Sequence, residues 1–160
     1  MSSEQIVQLD KGGVVAFQEY GDPSGVPVIF CHGWPSSRTM AQLADEPARA
    51  LGIRIISPDR PGISGSSMRP DRKLSDWPSV IERLVDDLGL GDFRILAISG
   101  GAPYAYATAV AMPERVRAIA VVGGVIPFAE LKDFKGLLPL YRWMLTFYRN
   151  RPQLLRRLFC

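Results

Sequence analysis

Ala97-Ile98-Ser99-Gly100-Gly101 is the stretch on which the fold turns, because a serine set between small residues follows an apolar run and opens an alanine-rich segment. A side chain on a strained strand-to-helix turn stands clear of the backbone, and such a turn tolerates only small residues two positions to either side. Ala97 and Gly101 satisfy that demand. Two plainer readings compete. Ser99 can be a small polar turn residue whose glycines let a helix pack closely on a strand. A phosphate-binding turn is the weaker alternative, since no Gly-x-Gly-x-x-Gly and no following lysine accompany it.

Working outward, short β-branched apolar runs at Val14 to Phe17, Val26 to Phe30, Ile53 to Ile56, Arg94 to Ile98 and Val116 to Val122 carry strand character, with Gln5 to Asp10 as a weaker, edge-like addition. Continuous rather than alternating runs of this length suit a parallel sheet covered on both faces. Helical segments lie between the later runs. From Leu74 to Gly89, Trp77, Val80, Ile81, Leu84, Val85 and Leu88 recur three and four apart; Ser75 or Asp76 is placed to cap the start, Pro78 fits the first turn and Gly89 the end. A second helix is expected from Ser36 to about Leu51, disturbed by Pro47 and closed by Gly52. A third follows Ser99 and stops before Pro113, its alanines at 105, 107, 109 and 111 keeping it slim against a sheet. Alternating strands and helices imply an α/β parallel sheet with right-handed crossovers.

The chain has 160 residues, 47% hydrophobic and 22% charged, enough for one domain with a real core. Two cysteines, Cys31 and Cys160, give neither a disulfide framework nor spaced zinc ligands, so a cytoplasmic setting without metal or other cofactor is expected. Met1 to Asp10 lacks the basic start and apolar core of a secretory leader, and no apolar run approaches the roughly 18 residues of a membrane span. The net charge of +3 is local: residues 131 to 160 hold seven of the 19 Lys and Arg but one of the 16 acidic residues. After Gly123-Gly124 the composition turns bulky and basic, resembling two helices broken at Pro152. An amphipathic helix with its charged face to water accounts for that charge, and no nucleic-acid contact is expected.

Four stretches in order carry a resemblance. Pro27-Val28-Ile29-Phe30-Cys31-His32-Gly33-Trp34-Pro35 resembles the strand and His-Gly-x-Pro turn of the α/β-hydrolase superfamily. Ser57-Pro58-Asp59-Arg60-Pro61-Gly62-Ile63-Ser64-Gly65-Ser66 is similar to its Asp-x-Pro-Gly-x-Gly-x-Ser loop, with Ser64 as one extra residue. Ser99 follows in the elbow, and Pro113-Glu114-Arg115-Val116 matches the entry to the next strand. The resemblance implies a three-layer parallel-sheet sandwich of the α/β-hydrolase type, truncated after about six strands, with residues 1–124 as the N-terminal part of the core and 125–160 as the beginning of a helical cap.

It also implies roles. Ser99 would be the nucleophile of a serine hydrolase acting on ester-like small molecules, with the backbone N–H groups of Gly100 and Trp34 holding the oxyanion. His32, Gly33, Pro35, Asp59 and Gly62 would be structural motif residues, and Trp34-Pro35 a candidate cis peptide. An elbow serine argues against epoxide hydrolases, which carry aspartate there. The family's triad runs serine, acid, histidine, with the last two on later loops, and the single histidine here is His32. Whether His32 substitutes for the base is left open by the sequence. Two functions therefore stand: a serine hydrolase completed by other residues, such as a complementing C-terminal fragment, or a catalytically silent domain kept for binding. Val116 to Val122 would then be an edge strand inviting self-association.

Overall fold

The computed structural model describes residues 4–10, 12–125, 133–151 and 153. The chain divides into two compact units, residues 1–125 and 126–160. The first holds a six-stranded sheet built from β1 (Gln5–Gln8), β2 (Val14–Gly21), β3 (Val26–Cys31), β4 (Ile53–Pro58), β5 (Phe93–Ile98) and β6 (Val116–Val122), in the order β1-β2-β4-β3-β5-β6. The four strands β4, β3, β5 and β6 are parallel, as the apolar runs imply. At the other end the sheet departs from expectation, because β1 and β2 are antiparallel to their neighbours. For the β1–β2 pair linker length is the reason. A parallel return needs a crossover of a dozen or more residues, whereas β1 and β2 are joined by a tight turn in which Leu9 N–H donates to the Gly13 carbonyl at 3.0 Å.

Strand residues alternate between two apolar layers. Ile29, Cys31, Ile56, Ile95 and Ala97 face one cluster with α2 (Trp77–Asp87) and α3 (Ala102–Ala111); Phe30 and Ile55, flanked by Leu96 and Ile98, face the other with α1 (Asp45–Ala50). Trp77, Val80, Ile81, Leu84 and Val85 are all buried, the face the sequence predicts for α2. Neither Ser75 nor Asp76 caps this helix through its side chain. Asp76 instead accepts from the Lys73 N–H at 2.8 Å and closes a 3₁₀ turn over Leu74–Asp76. Burial of each large apolar side chain is worth about 2 kcal/mol against about 1 kcal/mol for an N-cap, so packing sets this helix without one. Its C-terminus ends as expected at Gly89 (φ +64), with Gly89 N–H donating to Asp86 O and Leu90 N–H to Val85 O, a Schellman closure.

Two helices differ from the sequence pattern. The segment after Ser36 is a 3₁₀ helix over Arg38–Ala44 followed by α1, with Pro47 accepted in the first turn of α1 rather than interrupting a longer helix. In α3 the buried face is Ala102, Ala105 and Thr108, spaced by three. Alanines two apart cannot share a helical face, so Ala107 does not line the sheet side with Ala105; Ala109, one turn on from Ala105, is half-buried and Ala111 is exposed.

The second unit contains α4 (Pro139–Asn150), in which Trp143 stacks on Phe147 at 5.5 Å and the Arg149 guanidinium lies 4.5 Å from the Phe134 ring centre. The helix expected after Pro152 lies outside the described residues, apart from Gln153. No helix among the described residues is long and apolar enough to cross a membrane.

Candidate active site

The parallel register places the His-Gly turn beside the serine turn. Cys31 pairs with Ala97 at the C-terminal ends of β3 and β5, so His32-Gly33-Trp34 and Ser99-Gly100-Gly101 leave the sheet side by side. In open α/β sheets this is the end where ligand-binding loops gather. Ile98 is still extended (φ −121, ψ 131), Ala102 is helical (φ −56, ψ −46), and the reversal between them is taken by Ser99 at φ +50. Left-handed φ in a residue with a Cβ is strained and persists only where the surroundings enforce it. Here glycine neighbours do so. A Cβ on Gly101 would fall inside the Cys31 carbonyl, 2.7 Å from its carbon and 3.0 Å from His32 O, so only glycine lets the start of the helix pack onto β3.

Ser99 is half-buried, and among the described residues its Oγ has no hydrogen-bond partner. Gly33 and Gly100 line its approach: a Cβ built on Gly33 would lie 3.5 Å from the Ser99 Cβ, and one on Gly100 would lie 3.6 Å from the Trp34 nitrogen. The two backbone nitrogens expected to cradle an oxyanion, those of Trp34 and Gly100, are therefore neighbours. The Trp34-Pro35 peptide is cis, and Trp34 is 57% exposed.

His32 is buried, and both of its ring nitrogens are engaged. Nδ1 lies 2.9 Å from the Gly33 carbonyl, which makes it the N–H donor, and Nε2 accepts from the Arg60 backbone N–H at 3.4 Å. Burial, with the Arg60 charge beside it, lowers its pKa to about 4, so the ring is neutral at physiological pH. Neither nitrogen is directed to Ser99 by a hydrogen bond, and the ring acts as a brace for the turn.

Asp59 is wholly buried, and its carboxylate is spent on Arg38. Oδ1 accepts from the Arg38 backbone N–H at 2.6 Å and Oδ2 forms an ion pair with the Arg38 guanidinium. Gly62 (φ +78) follows Pro61 in a turn closed by Ile63 N–H to Arg60 O at 2.9 Å, the pattern of a type II turn. The extra residue Ser64 sits at φ +46 and its Oγ accepts from Arg38 Nη1 at 2.8 Å. It is accommodated as a second left-handed corner.

Two residues in the site carry weight that the sequence did not assign. Arg38 gathers Glu4 from the N-terminal segment and Asp59 and Ser64 from the loop after β4. Arg60 reaches in the other direction: Nη2 donates to Gly33 O at 2.8 Å, Nη1 to Gly100 O at 3.2 Å, and the guanidinium lies 5.0 Å from the Tyr104 ring centre. Arg60 stands in the quoted Asp59-Arg60-Pro61-Gly62 stretch, but its partners are 27 and 40 residues distant in sequence and no local signal names them.

Comparison with known proteins bears on the family and the fold. The chain is 30% identical over 120 residues to a proline iminopeptidase of Neisseria gonorrhoeae, covering 73% of this chain and 38% of that protein. It is likewise 30% identical over 132 residues to a haloalkane dehalogenase of Mesorhizobium japonicum, covering 81% and 41%. Among solved structures, a CIB-like hydrolase from Thermoplasma acidophilum superposes with a TM-score of 0.67 at 20% identity, covering 78% of this chain and 63% of that one. The chain spans about two fifths of the length of the curated relatives it matches. The family described as alpha/beta hydrolase fold matches residues 26–159, most of the chain, and to that family the chain belongs.

Proposed function

We propose that this chain carries the nucleophile half of a serine hydrolase, in which the Ser99 hydroxyl attacks the carbonyl carbon of an ester-like small molecule and the Trp34 and Gly100 N–H groups receive the oxyanion. The observation that supports it best is the left-handed Ser99 at the end of β5, with the Gly33, Trp34 and Gly100 backbone beside it. Donors fixed before reaction stabilise the developing charge without reorganising, and one such donor is typically worth about 3 kcal/mol of barrier. An elbow serine favours acyl transfer over the chemistry that the name of the dehalogenase relative describes. In this reading the proton acceptor for Ser99 comes from residues outside these 160, in the same gene or on a complementing chain. Its support is that the one histidine is committed to Gly33 and Arg60. Without a base a serine keeps a near-ordinary alcohol, and catalysis falls by three or more orders of magnitude, as estimated from triad deletions. A cytoplasmic setting fits the buried, unpaired Cys31.

The test is labelling with a fluorophosphonate probe, read by mass spectrometry at each serine. Selective but slow modification of Ser99, absent in Ser99→Ala and accelerated when the downstream-encoded stretch is co-expressed, is the expected result. Labelling of Ser99 no faster than that of exposed Ser79 under both conditions would remove the hydrolase reading and leave a catalytically silent domain. Turnover of p-nitrophenyl acetate at ordinary enzymatic rates by the chain alone would refute an external proton acceptor.

A further inference from the structure

Arg60 is a half-buried cation with no acidic partner among the described residues, and its neighbours are backbone carbonyls, a histidine ring and the face of Tyr104. Desolvating a guanidinium costs free energy, and here that cost is offset by two carbonyl acceptors and a cation–π contact rather than by a carboxylate. The identity of the acceptors gives the arrangement its meaning. The Gly33 carbonyl belongs to the same peptide group as the Trp34 N–H, and in a trans peptide the two point in opposite directions. Two donors converge on that oxygen, Arg60 Nη2 at 2.8 Å and His32 Nδ1 at 2.9 Å. Holding the carbonyl there fixes the Trp34 N–H on the opposite edge of that peptide, and the Trp34 nitrogen would lie 3.6 Å from a Gly100 Cβ. The other arm of the same guanidinium holds the Gly100 carbonyl at 3.2 Å.

We propose that Arg60 is the positioning residue of the anion cradle: one planar fork orients the Trp34 N–H through the Gly33–Trp34 peptide and, by tying the Gly100 carbonyl, fixes the separation of the two turns that carry the Trp34 and Gly100 N–H groups. The inference rests on the proposed role of those two groups. A lysine at this position keeps the charge and loses the fork, because an ammonium is a point donor on a flexible stem. The absence of a neutralising carboxylate adds a second effect, since an uncompensated positive charge behind the cradle favours an oxyanion in front of it. Pocket walls, by contrast, are not required to change when Arg60 is replaced.

The test uses the full ¹⁵N-labelled chain and compares wild type, Arg60→Lys, Arg60→Met and Arg60→Ala. In Arg60→Met the Trp34 and Gly100 amide resonances are expected to move and their hydrogen exchange to quicken tenfold or more, while the amides of Ile81 and Leu84 in α2 keep their protection. Arg60→Lys is expected to follow Arg60→Met rather than wild type, and it serves as the folded comparison if the methionine variant does not fold. Guanidinium ion at low millimolar concentration is expected to return the Arg60→Ala amides toward wild type where ammonium ion does not. Fluorophosphonate labelling of Ser99 is expected to fall about 100-fold in Arg60→Met, the loss of one cradle donor. Unmoved Trp34 and Gly100 amides in Arg60→Met and Arg60→Lys would overturn the proposal, as would changes spread equally over α2, the mark of a merely structural arginine. Absence of Ser99 labelling in wild type would instead count against the hydrolase reading, and the amide measurements would still decide the role of Arg60.

Discussion

Two adjacent glycines should respond to the same substitution in opposite ways. At Gly100 a Cβ meets the Trp34 nitrogen and Cβ at 3.6 Å, which is ordinary contact, and the backbone is not left-handed there. Gly100→Ala should therefore be neutral or stabilising by about 0.5 kcal/mol, because alanine restricts the unfolded chain and favours a helix start. At Gly101 the same methyl lies 2.7 Å from the Cys31 carbonyl carbon, where carbon atoms pack at about 3.5 to 4.0 Å. Relief requires the elbow to move by roughly 1 Å from β3, against backbone that is itself locked in the sheet. Overpacking of this kind costs about 1 to 3 kcal/mol. With about 2 kcal/mol lost, the melting temperature should fall by about 4 to 8 °C for a chain of this size. A displacement of about 1 Å at a reacting group also costs about 100-fold in rate, so Ser99 labelling should fall in Gly101→Ala and persist in Gly100→Ala. Thermal melts by circular dichroism and labelling of both variants test the argument together. Equal losses at the two positions, or a Gly101→Ala protein that melts and labels like wild type, would refute it.

Three more outcomes follow from the same structure. His32 has a folded pKa of about 4 against an ordinary 6.5, so the unfolded chain binds the extra proton between these values and stability falls as pH drops through that window; the loss approaches about 3 kcal/mol. Urea unfolding at pH 7, 5.5 and 4.5 should show this slope in wild type and a shallower one in His32→Gln, and parallel slopes would disprove it. Asp59→Asn strands the buried Arg38 guanidinium with only its Glu4 and Ser64 contacts, and should cost about 3 kcal/mol by denaturant midpoint at unchanged m-value. Because β6 is an outer strand of this sheet among the described residues, with Ala118, Ala120 and Val122 exposed, the purified chain should associate in sedimentation; a cooperative, strictly monomeric species would contradict that expectation.

Much of this architecture is legible in the chain, and the legible part is local. The parallel core strands, the buried face of α2 and the closure at Gly89 follow from apolar period and turn chemistry within windows of about 15 residues. Ser99 was identifiable for the same reason, since small neighbours and a strand-to-helix change sit within five residues of it. The cis Trp34-Pro35 bond likewise lies in a motif readable by eye.

Residues close together along the chain thus dictate the parallel α/β plan and the serine at its turn. Contacts between distant segments decided that β2 pairs antiparallel with β4, that a Cβ is crowded out at Gly101 and accommodated at Gly100, that the His32 ring braces a carbonyl, and that Arg38 and Arg60 knit the loops. The physical reason is range. Propensity and periodicity are written along neighbouring residues, whereas a Cβ clash with Cys31 or a guanidinium spanning Gly33 and Gly100 exists only once segments tens of residues apart have been brought into contact.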